Sequence, residues 1–165
     1  MRILEICLYS AGIDGVFARV KQEALLLAEK GHEVRIFSSN FIKGAKGRAS
    51  ENDKVENVMI KRFSARKLGG ESYMAWSNKL EKEIGKFKPD AIIAHSYRHT
   101  HTVIVSRIAK EIGAKCFLVT HAPFGNENRS LLATFYIELF HDPFVGKSTL
   151  KRFDKIIGAT ALTFK

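Results

Sequence analysis

Arg2–Phe37 reads RILEICLYSAGIDGVFARVKQEALLLAEKGHEVRIF, and this stretch decides the fold. Arg2–Tyr9 is short and almost continuously apolar, as a strand covered on both faces must be. In Val16–Lys30 the residues Val16, Val20, Ala24, Leu27 and Ala28 recur at three- and four-residue spacing, which gives a helix one apolar face. Gly31 follows, where a left-handed C-terminal cap forms most easily. Glu33–Phe37 is a second strand. Strand, helix and strand joined by short loops make a βαβ unit with parallel strands.

The alternation continues outward from this unit. Val58–Phe63, Ala91–Ala94, Lys115–Thr120 and Lys155–Ala159 read as strands. Ser72–Phe87, His101–Ile112 and Ser130–Phe140 read as helices, with Pro89 and Gly113 as stops after the first two. The expectation is an α/β domain, a doubly wound, mostly parallel Rossmann-like sheet with helices on both faces. Lys43–Glu56 reads as a surface loop within it. A length of 165 residues suits one domain, and a hydrophobic content of 45% excludes general disorder. No apolar run reaches the roughly 18 residues a membrane helix needs. Glu5 breaks the first apolar run and no cleavage-like site follows, so no leader is expected. Cys7 and Cys116 lie in apolar runs, which suits buried thiols in a reducing, cytoplasmic setting.

The formal charge is +10. Between Lys43 and Lys67 eight basic residues stand against three acidic ones, leaving +5, half of that excess. The run reads equally as a solvated loop or as an anion-attracting rim. Nucleic acid is not the expected partner, because no binding motif accompanies the charge. The aromatic segment Ser130–Phe144 reads first as a core helix, and also suits contact with a second domain, a partner chain or a lipid interface.

Ligands of open parallel sheets bind beyond the carboxyl ends of the strands. That rule selects Ser10–Gly15, Ser64–Gly70, His95–His101 and His121–Asn128. Gly12 and Gly15 form only G-x-x-G, which reads equally as a turn capped by Asp14 or as a phosphate loop. His95, His99 and His101 are close in sequence, but no Cys or carboxylate nearby completes a ligand set, so no metal is expected. His121 ends a β-branched run at the ligand edge, a fitting place either for polar chemistry or for a structural histidine. Gly146-Lys147-Ser148 is not a P-loop, because position 141 is His.

Taken in order, Gly31-His32-Glu33-Val34, Lys88–His95 (KPDAIIAH), Leu118–His121 (LVTH) and Phe153–Gly158 (FDKIIG) resemble successive motifs of the retaining family 4 glycosyltransferases, which have the GT-B fold. The resemblance covers the whole chain. It implies an N-terminal, acceptor-side domain over residues 1–165, with the donor-binding domain and its paired carboxylates beyond Lys165. It implies catalysis by His121 and donor diphosphate contact at Gly12 and Gly15, although the family's double glycine is here a spaced pair. By the same resemblance Tyr9, Asp14, Arg62, Arg66, Lys67, His95 and Arg98 face the acceptor. A nucleotide-sugar serves as co-substrate, and no cofactor or metal is implied.

The expected activity is retaining transfer of a sugar from that donor to an acceptor hydroxyl, with an anionic acceptor suggested by the basic rim. The chain alone is expected to be inactive, and association with the inner face of an anionic membrane fits its charge. Two other readings stay open: a non-catalytic module for phosphorylated ligands or anionic surfaces, and a different Rossmann-like nucleotide-dependent enzyme. The second lacks both G-x-G-x-x-G and an acidic residue ending the second strand, where Ser38 and Ser39 stand.

Overall fold

A computed structural model describes residues 1–68, 73–121 and 144–158. Its strands are β1 (Arg2–Ile6), β2 (Glu33–Ser39), β3 (Asn52–Val55), β4 (Val58–Phe63), β5 (Ala65–Lys67), β6 (Met74–Trp76), β7 (Ala91–His95), β8 (Lys115–Thr120) and β9 (Lys155–Gly158). The helices are α1 (Gly15–Glu29), α2 (Lys79–Phe87), α3 (Thr100–Ile112) and the single turn α4 (Lys147–Leu150).

Seven strands form one sheet in the order β3-β4-β2-β1-β7-β8-β9, and every neighbouring pair except β3–β4 is parallel. Successive side chains of a strand point to opposite faces, so the sheet carries two cores. Ile3, Cys7, Val34, Ile36, Val58 and Ile60 pack with Val20 and Ala24 of α1. Leu4, Ile6, Phe37, Ile92, Ala94 and Leu118 pack with Leu80 and Ile84 of α2 and Val105 and Ile108 of α3. Helices therefore cover both faces, as the near-continuous apolar strands require.

Two expected elements differ. Lys43–Glu56 is not all loop: Asn52–Val55 is an antiparallel edge strand joined to β4 through Glu56 and Asn57, with Glu56 at φ +54°. Asn52, Asp53 and Lys54 are exposed, so no apolar alternation marks the strand, and backbone pairing alone makes it. Ser72–Phe87 is not one helix, because Met74–Trp76 pairs with Ala65–Lys67 as a two-stranded sheet and α2 begins at Lys79. Thr100 at the start of α3 holds this strand in place. Its hydroxyl donates to the Met74 carbonyl at 2.7 Å and accepts from the Met74 amide and the Trp76 indole, both at 3.2 Å. A helix over the same residues would lose those bonds. The expected helix Ser130–Phe140 lies outside the described residues, as does Ala159 at the end of the last strand.

Candidate active site

Glu5, His95 and His121 climb diagonally across three adjacent strands. In the parallel register Glu5 of β1 lies opposite Ile93 of β7, and His95, two residues on, lies opposite Val119 of β8. His121 follows two residues after Val119. Steps of two keep all three side chains on the face covered by α1. The His95 Nε2 lies 2.5 Å from the Glu5 Oε2, and its Nδ1 lies 2.9 Å from the His121 Nε2. The two imidazoles stack with centroids 5.2 Å apart.

Glu5 and His95 are fully buried, and that burial decides their charge. An ion pair would lower the acid and raise the base. The opposite holds here: burial pushes the Glu5 carboxyl up to about 8 and the His95 ring down to about 4. At neutral pH both are uncharged: each holds one proton, and a single proton lies in the hydrogen bond that joins them. His121 is half-buried. Burial, followed by the charges of His95 and Arg19, holds it down at about 4, against a smaller opposing pull from Asp14. It too is a neutral imidazole at pH 7.

The three histidines that are close in sequence serve different partners. His95 does not face outward as the resemblance implies: it is enclosed, both of its ring nitrogens are engaged, and it holds His121. His101 is buried behind β7, where its Nε2 donates to the His95 carbonyl at 2.9 Å, and burial holds its ring at about 3. His99 bonds the Tyr97 carbonyl through Nδ1 at 3.0 Å. Ser96 and Arg98 take left-handed backbone conformations, at φ +76° and +64°, and so turn the chain sharply after β7. Arg98 lies over the Tyr97 ring at 5.3 Å.

Glu5, Glu23 and His95 are the one grouping of metal-binding side chains among the described residues, with ligand atoms within 4.8 Å of one another. The chemistry favours a proton there instead. Two ligands of one tetrahedral cation stand about 3 Å apart or more, and the Glu5–His95 separation is 2.5 Å.

The two loop glycines have different jobs. Gly12 sits at φ +84° and bridges to Lys43, and a Cβ there would run into the Lys43 backbone. It closes the loop against its neighbour. Gly15 is the first residue of α1, and a Cβ there would meet nothing within 4 Å. Asp14 caps the helix by accepting from the Val16 amide at 3.2 Å. Gly12, Ile13 and Gly15 are exposed, so the helix N-terminus and its free amides face outward at the carboxyl edge of the sheet.

The basic window also divides. Arg62 is buried, and its guanidinium donates to the Ser10 hydroxyl at 2.8 Å, the Ser10 carbonyl at 2.9 Å, the Ser50 carbonyl at 3.1 Å and the Asp53 carboxylate at 2.7 Å. It ties β4 to the first loop and to β3 and is not presented to a ligand, contrary to the expectation. Lys61 is paired with Glu83 at 2.7 Å. Tyr9 also departs from its expected place, since it is buried with Leu8, Ala65 and Met74 while Lys43 lies over its ring. Arg66 and Lys67 are exposed. Phe41 joins Arg48 and Lys67, whose cationic groups lie 3.5 and 5.2 Å from its ring centroid.

Sequence reasoning did not find Glu5, Arg48 or Phe41 as site residues. Glu5 did leave a signal: a lone carboxylate within an apolar strand, flanked at two-residue spacing by Ile3 and Cys7, points into the core.

Comparison with known proteins bears on the fold and the family. No curated protein matches the sequence. Among solved structures, Acinetobacter baumannii MurG superposes with a TM-score of 0.56 at 12% identity, covering 99% of this chain and 42% of its own. An E. coli trehalose-6-phosphate structure bound with UDP-2-fluoro glucose gives 0.55 at 13% identity, covering 94% and 39%. A sucrose-phosphate synthase structure from Thermosynechococcus elongatus gives 0.52 at 11%, covering 99% and 92%. This chain thus spans about two fifths of the first two, and at such identities the likeness concerns the fold. The sequence itself supplies the family: residues 13–161 match the profile of Glycosyltransferase Family 4 and take in Gly15, His95 and His121. The chain belongs to glycosyltransferase family 4.

Proposed function

We propose that the protein containing this chain transfers a sugar from a nucleotide-sugar donor to an acceptor hydroxyl with retention at the anomeric carbon, and that this chain is the acceptor-side half. The observation that carries the reading is the position of His121 in a family 4 chain, at the carboxyl edge of β8 and held there by a buried partner. As a neutral imidazole it can donate a hydrogen bond to the reacting sugar or to the departing diphosphate without adding charge. The amides at the N-terminus of α1 suit the donor diphosphate, since a helix N-terminus stabilises anions. Fixed donors aimed at a developing negative charge need no reorganisation during the reaction.

The acceptor is proposed to be anionic. The rim that supports this consists of Arg48, Arg66 and Lys67, with Arg62 assigned to structure. The reading requires no resident cofactor or metal. It places the protein in the cytoplasm, with the basic rim available to an anionic membrane. Among the described residues no helix is long and apolar enough to cross one.

The test is consumption of a panel of sugar nucleotides by the complete protein, with the anomeric configuration of the product read by NMR. Transfer with retention is expected from the complete protein, and none from the 165-residue chain alone. Inversion, or turnover by the isolated chain, would overturn the reading.

A further inference from the structure

The contact between His95 and His121 specifies more than position, because the proton in each hydrogen bond fixes the proton in the next. We propose that Glu5, His95 and His121 form a proton relay in which a proton held on Glu5 makes His121 an Nδ1–H donor, and loss of that proton turns Nδ1 into an acceptor. The relay is a positioning device for His121, and its use in catalysis rests on the transfer reading above.

The two states follow from the atoms in contact. With Glu5 protonated, its O–H donates to the His95 Nε2 at 2.5 Å. His95 then carries its one proton on Nδ1 and donates to the His121 Nε2 at 2.9 Å. His121 is left with its proton on Nδ1. In the other state the Glu5 proton passes to the His95 Nε2 and the His95 Nδ1 proton passes to the His121 Nε2. The proton on the His121 Nδ1 leaves to solvent or to a basic ligand atom. The first hop exchanges an O–H bond for an N–H bond, the second exchanges one N–H bond for another, and the last breaks the His121 Nδ1–H bond as the accepting solvent or ligand atom binds the proton. One proton departs in total, and the chain ends with a carboxylate on Glu5 and two neutral imidazoles. An acidic proton can thus be delivered at His121 without an imidazolium forming in the core, which burial disfavours.

The surroundings support this placement of the proton. Burial pushes Glu5 up to about 8, so its proton is retained at neutral pH. The groups facing the relay are Glu23 and Arg19 of α1, Asp14 of the first loop, His101 of α3, and Cys7, whose thiol burial pushes well up and so keeps neutral. Glu23 is itself raised by burial and by Glu5, so it disfavours a carboxylate on Glu5. Arg19 favours one but shares its charge with Glu23 at 3.9 Å. His101 is fixed as an Nε2–H donor to the His95 carbonyl and cannot take the relay proton. The Glu5 Oε1 has no hydrogen-bond partner among the described residues, so Oε2 is the relay atom.

The experiment is long-range 1H–15N correlation NMR of the histidine-labelled complete protein, which reads the tautomer of each ring directly. Between pH 6.5 and 9.5 the His121 populations should invert from mainly Nδ1–H to mainly Nε2–H, at least tenfold across the transition. His95 should change from Nδ1–H to Nε2–H in the same step. Glu5→Gln should abolish the inversion, and Glu23→Gln should move its midpoint and keep it. A single His121 tautomer throughout the titration would overturn the relay, as would an inversion that survives Glu5→Gln. Should Glu5→Gln fail to fold, the wild-type titration decides alone. Inversion without sugar-nucleotide turnover by the complete protein leaves the relay standing and removes the transfer reading. Turnover without inversion does the reverse.

Discussion

The Glu5–His95–His121 chain and the Phe41–Arg48–Lys67 rim serve the same sheet, yet they handle charge in opposite ways. The relay holds three titratable groups and no net charge at neutral pH, because burial removes it. The rim keeps its charges in solvent, supported on an aromatic face. A proton can be assigned to one atom only where water does not compete for it. Anions can be attracted only where the charge remains solvated and accessible. Arg62 shows the boundary between the two: it belongs to the basic window in sequence and to the interior in space.

That contrast is open to direct attack, and the largest expected effect is on pH stability. His95 and His101 have folded values near 4 and 3, below the ordinary 6.5, so their contribution is complete above pH 6.5 and is lost as pH falls toward those values. The slope should approach about 1.4 kcal/mol per pH unit for each histidine. Glu5 runs the other way: its folded value near 8 exceeds 4.5, so stability falls as pH rises from 4.5 to 8. Denaturant midpoints should therefore peak near pH 6.5, and Glu5→Gln should flatten the decline above it. A midpoint that keeps rising to pH 8 in the wild type would contradict the neutral pair.

Next in size is Arg62→Ala, which leaves Asp53 and the Ser10 and Ser50 acceptors without their donor. A loss of about 1–3 kcal/mol is expected, because the buried Ser10 acceptors lose their donor while Asp53 is left half in solvent, measurable as a lower midpoint in urea. Arg66→Ala should leave that midpoint in place.

The glycines separate structure from ligand contact. Gly12→Ala should cost about 1–3 kcal/mol through its positive φ and the Lys43 backbone. Gly15→Ala should leave thermal stability unchanged and raise the donor KM of the complete protein about tenfold, since a factor of ten corresponds to about 1.4 kcal/mol. An unchanged KM would remove the diphosphate from this loop.

Smallest is the rim. Arg66→Ala and Lys67→Ala should each raise the acceptor KM severalfold in low salt and less in high salt, because exposed charges are screened. A salt-independent change would argue against an anionic acceptor.

The fold was open to reading wherever burial was two-sided. Arg2–Ile6, Ala91–His95 and Lys115–Thr120 announce themselves as apolar runs because helices cover both faces of the sheet. Asn52–Val55 did not, because an exposed edge strand leaves no hydrophobic signature. Met74–Trp76 is hidden in the sequence because Leu80, Ile84 and Phe87 carry the helical spacing, no Gly or Pro separates Met74 from them, and only the distant Thr100 settles the matter. His121 could be proposed from its place at the end of a strand. Glu5 could not be joined to it, because 116 positions separate them and the parallel register alone brings them to one face. Arg62 departs from its expected place for a related reason. Charge is a property of sequence, and solvation is a property of the fold.

The central claim is that His121 acts at the reacting centre. The most direct measurement is single-turnover transfer by the complete protein carrying His121→Ala, at saturating donor and acceptor. The expected result is a rate about 10²–10³ below wild type with donor affinity little changed, the loss typical of removing one fixed donor from a developing charge. A rate within about threefold of wild type, well short of that range, would contradict the claim.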